Sequence, residues 1–153
     1  MSIDRTPRRD LTQVEFDAIY SRVVRLSVDV LIHTPEGILL SKRSIPPHQG
    51  DWHLPGGTVQ FGETVLQAVA RVAAEELGVA VNIEKLVGFF EYPQMFASGY
   101  KGWPIDLAFE VTITSGTPSG FAEAEEIAYF KMNELPENII PEHAEFLRKH
   151  YPL

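Results

Sequence analysis

A glycine pair followed by a strongly patterned helix constrains this chain most, over residues 56–79, GGTVQFGETVLQAVARVAAEELGV. Thr64 and Gln67 have the spacing of a capping box, in which each side chain bonds the backbone of the other residue. Alanine-rich sequence follows, and Gly78 suits the position just past a helix end. The pattern therefore predicts a helix near 65–77.

The predicted helix has one apolar face and two acidic residues at its C-terminal end. At about 100° per residue, its core stripe is expected to contain Leu66, Val69, Ala73 and Leu77. Val72 and Glu76 lie on one flank, with Glu75 beyond. Adjacent carboxylates at the negative end of the helix dipole repel each other, and a hard cation such as Mg²⁺ would relieve that repulsion. The alternative is a solvated face on which Arg71 pairs with Glu75.

The spacing of this stretch resembles the Nudix hydrolase signature, G-x5-E-x7-R-E-U-x-E-E-x-G-U, in which U is aliphatic. The matching positions are Gly57, Glu63, Arg71, Glu75, Glu76, Gly78 and Val79. The Glu that should follow Arg71 is Val72, and in most of the family that Glu is a metal ligand or acts in catalysis. One carboxylate fewer favours a single Mg²⁺ ion over several, with Mn²⁺ as a substitute.

The altered motif is similar to that of the GDP-mannose mannosyl hydrolases, a Nudix branch that breaks the sugar carbon–oxygen bond. Residues 43–57, RSIPPHQGDWHLPGG, align with that branch's R-x3-P-x-Q-G-x-W-x2-P-G-G. Asp29 falls at a position that the branch uses near its site. Two departures oppose this assignment, because the branch's Arg after the glycine pair is Thr58 here and its His base is Ala124. Attack at carbon and attack at phosphorus therefore both stay open.

The resemblance implies a set of site residues. The expected metal ligands are Gly57, through its carbonyl, Glu76 and Glu123. The expected catalytic residues are Glu75, Glu123 and Arg43, and the expected substrate contacts are Asp29, Arg43 and Arg71. The general base is left open among Glu75, Glu123, Glu125 and His48. His48 and His53 are the only histidines close to the motif in sequence, and surface histidines are the competing interpretation.

Length and composition limit the remaining function classes. The chain has 153 residues, which fits one domain over 1–153 with a polar tail at 1–10. Its net charge of −8 argues against a nucleic-acid partner. It has no cysteine, and no stretch approaches the ~20 apolar residues of a membrane span. We expect a cytoplasmic protein without a membrane partner, and a homodimer is an open alternative.

Periodicity along the rest of the chain predicts an α/β protein. A capping box at Thr12 opens a helix to about Arg22, and a hairpin follows with strands at 23–34 and 38–43. Further strands are expected at 80–93, as a pair or one bent strand, at 104–114 and at 127–132, and a last helix at 141–149. The aromatic residues of this region could stack on a nucleobase, form a satellite cluster or make a dimer contact: Tyr92, Phe96, Tyr100 and Trp103. The resemblance identifies the architecture as the Nudix fold, a mixed β-sheet sandwiched between α-helices.

The predicted function is Mg²⁺-dependent hydrolysis of a nucleoside diphosphate linked to another moiety, with a nucleotide sugar similar to GDP-mannose favoured. One alternative is a pyrophosphohydrolase of ADP-ribose or nucleoside triphosphates. The other is a nucleotide-binding module without turnover, because the motif lacks the Glu at Val72.

Overall fold

The computed structural model describes residues 11–45, 48–120 and 124–153, and only the backbone of Ala124 and Glu125. The predicted tail at 1–10 and the predicted ligand Glu123 lie outside these residues. In chain order the elements are α1 (Gln13–Tyr20), β1 (Val24–Thr34), β2 (Gly37–Arg43), β3 (Trp52–His53), β4 (Gly56–Thr58), α2 (Val65–Leu77), β5 (Ala80–Glu91), α3 (Pro93–Ala97), β6 (Trp103–Ser115), β7 (Ala124–Phe130), a 3-10 turn (Met132–Glu134) and α4 (Pro141–His150).

The strands form a mixed sheet with the order β3-β2-β1-β6-β5, with β4 paired to β1 and β7 paired to β2. β1 runs parallel to β6, from Val24 opposite Trp103 to Ile32 opposite Val111. The other pairings are antiparallel, including that of β1 with β4. The mixed sheet with flanking helices was predicted, and it is confirmed. β1 lies at the centre, so its side chains define what each face of the sheet meets.

Two hydrophobic clusters pack the helices against the two faces of the sheet. One cluster joins α2 to Val28, Val30 and Ile32 of β1. The other joins α4 to Leu31 of β1 and to residues of β2. Alternate β1 side chains point to opposite faces because a strand has a two-residue period. The sheet is therefore covered on both sides.

The helix α2 begins and ends where the sequence predicts. Thr64 and Gln67 form the reciprocal capping box, and Gly78 has a left-handed φ of 69°. The predicted core stripe is wrong at one end, however, because Leu66 is 53% exposed while Val72 is 1% exposed. The helix packs against β1 and β4, which rotates its buried face toward Val72.

The structure adds detail in two segments, β5 and the segment that follows it. β5 is one continuous strand with three register irregularities against β6, which settles the open choice between one bent strand and a pair. A short helix, α3, stands where the sequence predicted only loop. None of the helices in the described residues is long and apolar enough to cross a membrane.

Candidate active-site cleft

A cleft of about 500 Å³ opens beside the glycine turn at β4 and the C-terminal half of α2. Five of the predicted site residues line it: Asp29, Arg43, Gly57, Glu75 and Glu76. Arg71 is absent from the described lining, and Glu123 lies outside the described residues. Residues far apart in sequence therefore converge on one concave surface, the usual setting of a small-molecule site.

The glycine turn is held close to β1 and α2. A side chain at Gly56 would collide with Asp29 Oδ1 and would come within 2.8 Å of the Val28 carbonyl oxygen. A side chain at Gly57 would place its Cβ 3.1 Å from Val72 Cγ2. Gly56 therefore excludes a side chain, and Gly57 leaves room for one only if Val72 shifts, so the backbone itself forms this wall of the cleft.

Hydrogen bonds from Arg71 connect α2 to the same turn. Its guanidinium donates to Glu63 from Nε at 2.7 Å and to the Thr58 carbonyl from Nη2 at 2.8 Å. A third bond joins Nη1 to Glu75 Oε2 at 3.1 Å. The pairing of Arg71 with Glu75, which the sequence offered as an alternative, is present. A substrate contact by Arg71 remains a prediction.

A series of buried hydrogen bonds lines the cleft, from Leu54, just after β3, to Asp106 of β6. The Leu54 N–H donates to His143 Nδ1 at 2.9 Å, and His143 Nε2 lies 2.6 Å from the Tyr92 hydroxyl. Tyr92 donates to Asp106 Oδ2 at 2.6 Å. Because Nδ1 accepts, the proton of neutral His143 sits on Nε2 and points to the Tyr92 oxygen. Each donor in this series therefore gives its hydrogen bond to the next residue, in the order Leu54, His143, Tyr92 and Asp106.

Asp29 and Asp106 form a buried acidic pair beside this series of hydrogen bonds. One ligand atom from each lies within 4.8 Å of the other and of a His143 nitrogen, which resembles a metal-binding group. The proton on His143 Nε2 removes that nitrogen from the donor set. Burial raises the pKa of Asp29 well above its ordinary value, and the neighbouring Asp106 raises it further. We therefore interpret the pair as two carboxyl groups that hold a proton between them.

Two of the histidines that line the cleft, His53 and His143, have lowered pKa values. Burial lowers the pKa of His143 well below its ordinary value, and His53 and Arg43 add to that effect. Burial also lowers the pKa of His53 to about 4, and its Nδ1 lies 2.7 Å from the Leu54 carbonyl oxygen. His48, with a left-handed φ of 60°, contacts Asp51 at 3.0 Å and lines the cleft. His53 and His143 enter the site as neutral rings at pH 7.

Two arginines from the central strands face the cleft. Arg43 ends β2, and its Nε donates to the Ile45 carbonyl at 3.3 Å. Arg25, near the start of β1, donates from Nη1 to Ser27 at 2.9 Å and to Thr58 at 3.0 Å. Its Nη2 donates to the Tyr100 hydroxyl at 3.2 Å. These guanidinium groups give an anionic ligand positive charge inside an acidic protein.

The predicted aromatic group is divided between the cleft and a separate contact. Tyr92 and Tyr100 line the cleft. Phe96 and Trp103 pack edge to face with 5.2 Å between their ring centroids. Tyr92 and Tyr100 also pack in a small cluster with Met95 and Ile140, so the satellite-cluster alternative is supported, and stacking on a nucleobase stays a prediction.

Several cleft residues were missed in the sequence: Arg25, Tyr92 as a polar group, Asp106 and His143. The sequence does contain a signal for Arg25, because Arg25, Ser27 and Asp29 alternate with apolar residues along β1. Asp106 stands opposite Ser27 on the parallel strand β6, which only the sheet pairing reveals. His143 is 51 residues from its partner Tyr92, and no local pattern connects them.

Comparison with known proteins places these features in a wider context. The sequence model of the NUDIX domain matches residues 23–150. The low-salt glycan biosynthesis protein Agl8 of Haloferax volcanii is 44% identical over 86 residues, covering 56% of this chain and 55% of that protein. The ADP-ribose pyrophosphatase of Methanocaldococcus jannaschii is 34% identical over 111 residues, covering 72% of this chain and 64% of that protein. The chain thus spans less than two thirds of the length of either relative.

Among solved structures, the MutT NUDIX hydrolase from Burkholderia pseudomallei superposes with a TM-score of 0.75. It is 27% identical, and the match covers 84% of this chain and 98% of that one. The agreement in fold therefore extends over most of this chain.

Proposed function

Since the chain belongs to the NUDIX domain family, we propose that it is an Mg²⁺-dependent hydrolase of a nucleoside diphosphate linked to another moiety, with a nucleotide sugar as the favoured substrate. The observation that carries the proposal is the convergence of Gly57, Glu75, Glu76 and Arg43 on one cleft. Paired acids can hold a cation there, and the arginine can hold the phosphate charge.

The donor set of the cleft fits a hard divalent ion. The Glu76 carboxylate and the Gly57 carbonyl offer oxygen atoms, which Mg²⁺ prefers, and Glu123 is the proposed third ligand. Val72 is buried and packs next to Gly57, so position 72 of α2 supplies no carboxylate to the site. When bound, the ion would supply positive charge to the diphosphate and polarise it toward attack by water.

The protein's own groups have separable roles in this proposal. Arg43 binds a phosphate oxygen, and Glu75 orients water or supports the ligand Glu76. Asp29, held at the back of the cleft against Gly56, contacts the moiety beyond the diphosphate. His53 stays neutral at pH 7 because burial lowers its pKa to about 4, so it contributes no charge to substrate binding.

The choice of substrate class rests on the motif and on one relative. The altered motif resembles that of nucleotide-sugar hydrolases, and the relative Agl8 is named for glycan biosynthesis. The second relative is named an ADP-ribose pyrophosphatase, which keeps ADP-ribose as the alternative substrate. Both compounds contain a diphosphate between two sugars, and a cleft with arginine and acidic residues suits that chemistry.

A substrate screen with and without Mg²⁺ tests the proposal. GDP-mannose, UDP-glucose, ADP-ribose and nucleoside triphosphates are incubated with the protein, and the products are separated by chromatography. We expect Mg²⁺-dependent turnover, fastest with a nucleotide sugar. Tight nucleotide binding without turnover of any compound would instead identify a non-catalytic binding module.

Hydrolysis in ¹⁸O-labelled water then identifies the bond that breaks. Attack at phosphorus with cleavage of the pyrophosphate bond places the label in a phosphate product and yields a nucleoside monophosphate and a sugar phosphate. Attack at carbon places the label in the free sugar and yields a nucleoside diphosphate. If the label enters the sugar, Glu123 and Glu125 are the candidates that replace the base missing at Ala124, and Gln variants of each should slow the reaction.

A further inference from the structure

Arg25 belongs to a row of polar side chains that β1 presents to the cleft. Arg25, Ser27 and Asp29 occupy alternate positions of the strand and all three line the cleft. Ser27 stands opposite Thr58 of β4 in the antiparallel register, which brings the glycine turn alongside Arg25. The strand thus fixes the guanidinium beside the turn that carries the Gly57 carbonyl.

The hydrogen bonds described for Arg25 go to neutral groups. Its hydrogen-bond acceptors are three neutral hydroxyl groups, those of Ser27, Thr58 and Tyr100. Its Nε is buried and has no hydrogen-bond partner. Within the described part of the chain, no carboxylate makes a salt bridge with Arg25. Burial raises the pKa values of the nearby Asp29 and Asp106, and Arg25 lowers them, but it forms no salt bridge with either carboxyl group. Hydroxyl groups orient a guanidinium without neutralising it, so its N–H groups can bind an anion that enters the cleft.

Tyr100 is also one of three residues, with His48 and Met95, that line both the cleft and a second cavity. Tyr100 lines the cleft and a neighbouring cavity of about 810 Å³ between α1 and the segment after α3. Arg25 contacts α1 as well, because its guanidinium lies 5.4 Å from the Phe16 ring centroid. Arg25 is therefore hydrogen-bonded to a residue that lines both cavities, while Arg25 itself lines only the cleft.

We propose that Arg25 binds the diphosphate of the substrate, as a second guanidinium beside Arg43. The inference rests on the proposed function, because it assigns a contact to the same substrate. A planar guanidinium offers paired N–H donors that match two phosphate oxygens, and a diphosphate supplies several such oxygens. The moiety attached to the diphosphate then extends past Tyr100 into the neighbouring cavity.

Calorimetric binding of GDP tests this contact without requiring turnover. The titration is done in EDTA and again with Mg²⁺, on wild type, Arg25→Met, Arg25→Gln and the control Arg22→Met. Arg22 is an exposed arginine three residues earlier in the chain. We expect roughly 10- to 100-fold weaker GDP binding in both Arg25 variants and wild-type affinity in the control. Equal affinity in wild type and the Arg25 variants would overturn the inference.

A second-site variant separates a direct contact from a structural effect. Thr58 Oγ1 lies 3.0 Å from Arg25 Nη1, so an arginine introduced at 58 can reach the same region. The double variant Arg25→Met/Thr58→Arg should bind GDP at least about tenfold more tightly than Arg25→Met alone. If Arg25 only supports Tyr100 and α1, the added arginine will not restore GDP binding, and the inference fails. The same conclusion applies when the Arg25→Met protein folds poorly.

The outcomes distinguish this inference from the proposed function. Turnover of nucleotide sugars together with unchanged GDP binding in the Arg25 variants overturns the inference alone. Loss of GDP binding in those variants, with no turnover of any compound by wild type, supports the inference and overturns the proposed hydrolase. A wild-type protein that binds no GDP under either condition overturns the inference.

Discussion

Arg71 holds Glu63, eight residues earlier in the chain, through two hydrogen bonds: Nε to Oε2 at 2.7 Å and Nη2 to Oε1 at 3.0 Å. The Glu63 side chain is 1% exposed and that of Arg71 is 12% exposed. The same guanidinium donates to the Thr58 carbonyl, next to Gly57 in the chain. Two signature residues therefore act on the shape of the glycine turn.

Replacing Arg71 should destabilise the protein strongly. Arg71→Met leaves the Glu63 carboxylate buried without its cation, and breaking a buried ion pair in this way costs about 3–5 kcal/mol. We expect the free energy of unfolding, measured in urea, to fall by that amount. Metal binding should weaken too, because the Thr58 carbonyl loses its donor.

The second carboxylate on Arg71 provides a matched control for that measurement. Glu75 pairs with Nη1 at 3.1 Å, but its side chain is 39% exposed. Exposed ion pairs contribute about 0–1 kcal/mol, so Glu75→Gln should change stability little. Similar losses in the two variants would mean that burial of the Glu63 pair is not the source of its strength.

Val72 offers a test of how many carboxylates the site can use. Val72 is 1% exposed and packs under Gly57. Val72→Glu should lower the melting temperature in EDTA, since an unpaired buried carboxylate costs several kcal/mol. Adding Mg²⁺ should raise the melting temperature of this variant more than that of wild type, because the new carboxylate gains a cation.

The variant Val72→Gln separates the effect of the negative charge from the effect of side-chain size, because Gln has nearly the same shape as Glu. It introduces a side chain of similar volume without a negative charge, so it should be destabilised with no added response to Mg²⁺. Equal Mg²⁺ responses in Val72→Glu and wild type would show that position 72 does not reach the metal.

Local sequence patterns were sufficient for the helix and the hairpin that frame the site. The capping box at Thr64 and the left-handed Gly78 fix α2 through contacts within a few residues. The turn between β1 and β2 is local in the same sense. Such short-range signals do not depend on the rest of the chain, which is why these elements were predicted correctly.

Contacts between distant segments could not be read from those patterns. Leu66 was placed in the core because helical periodicity gives the width of an apolar face, but β1 and β4 decide which edge is buried. The hydrogen bonds from Leu54 to His143 and from His143 to Tyr92 join three separate segments, and the partners are 89 and 51 positions apart in sequence. One sequence contains no signal for pairs at that separation.

The low pKa of His53 predicts a loss of stability in acid. The folded state keeps His53 neutral down to about pH 4, whereas the unfolded chain binds a proton below its ordinary pKa of 6.5. The unfolded state therefore takes up more protons between these values, and stability falls as the pH drops through that window. The contribution of His53 at pH 5 is about 1–2 kcal/mol.

The variant His53→Gln should reduce this acid sensitivity. The free energy of unfolding is measured at pH 7.5 and pH 5 for both proteins, and the difference should be smaller in the variant by about 1–2 kcal/mol. Some sensitivity should remain, because burial also lowers the pKa of His143. An unchanged difference would show that His53 is protonated in the folded state at pH 5.

The proposed metal site makes its sharpest prediction at Glu76. Glu76 lines the cleft from the last turn of α2, whose core contacts come from other residues. Glu76→Gln removes one ligand charge and keeps the size of the side chain. We expect kcat/KM for the best substrate of the screen to fall at least about 100-fold with Mg²⁺, since even outer-shell changes at metal sites cost 10- to 100-fold.

The fold of Glu76→Gln should be intact, with a change in unfolding free energy of less than about 1 kcal/mol in EDTA. Because Mg²⁺ stabilises a folded protein in proportion to its affinity, wild type should gain melting temperature with Mg²⁺ and the variant should not. Glu145→Gln, an exposed change on α4 with the same loss of charge, should leave both activity and the Mg²⁺ response unaltered. If Glu76→Gln keeps wild-type activity, Glu76 is not a ligand, and the metal must be held by other acids of the cleft.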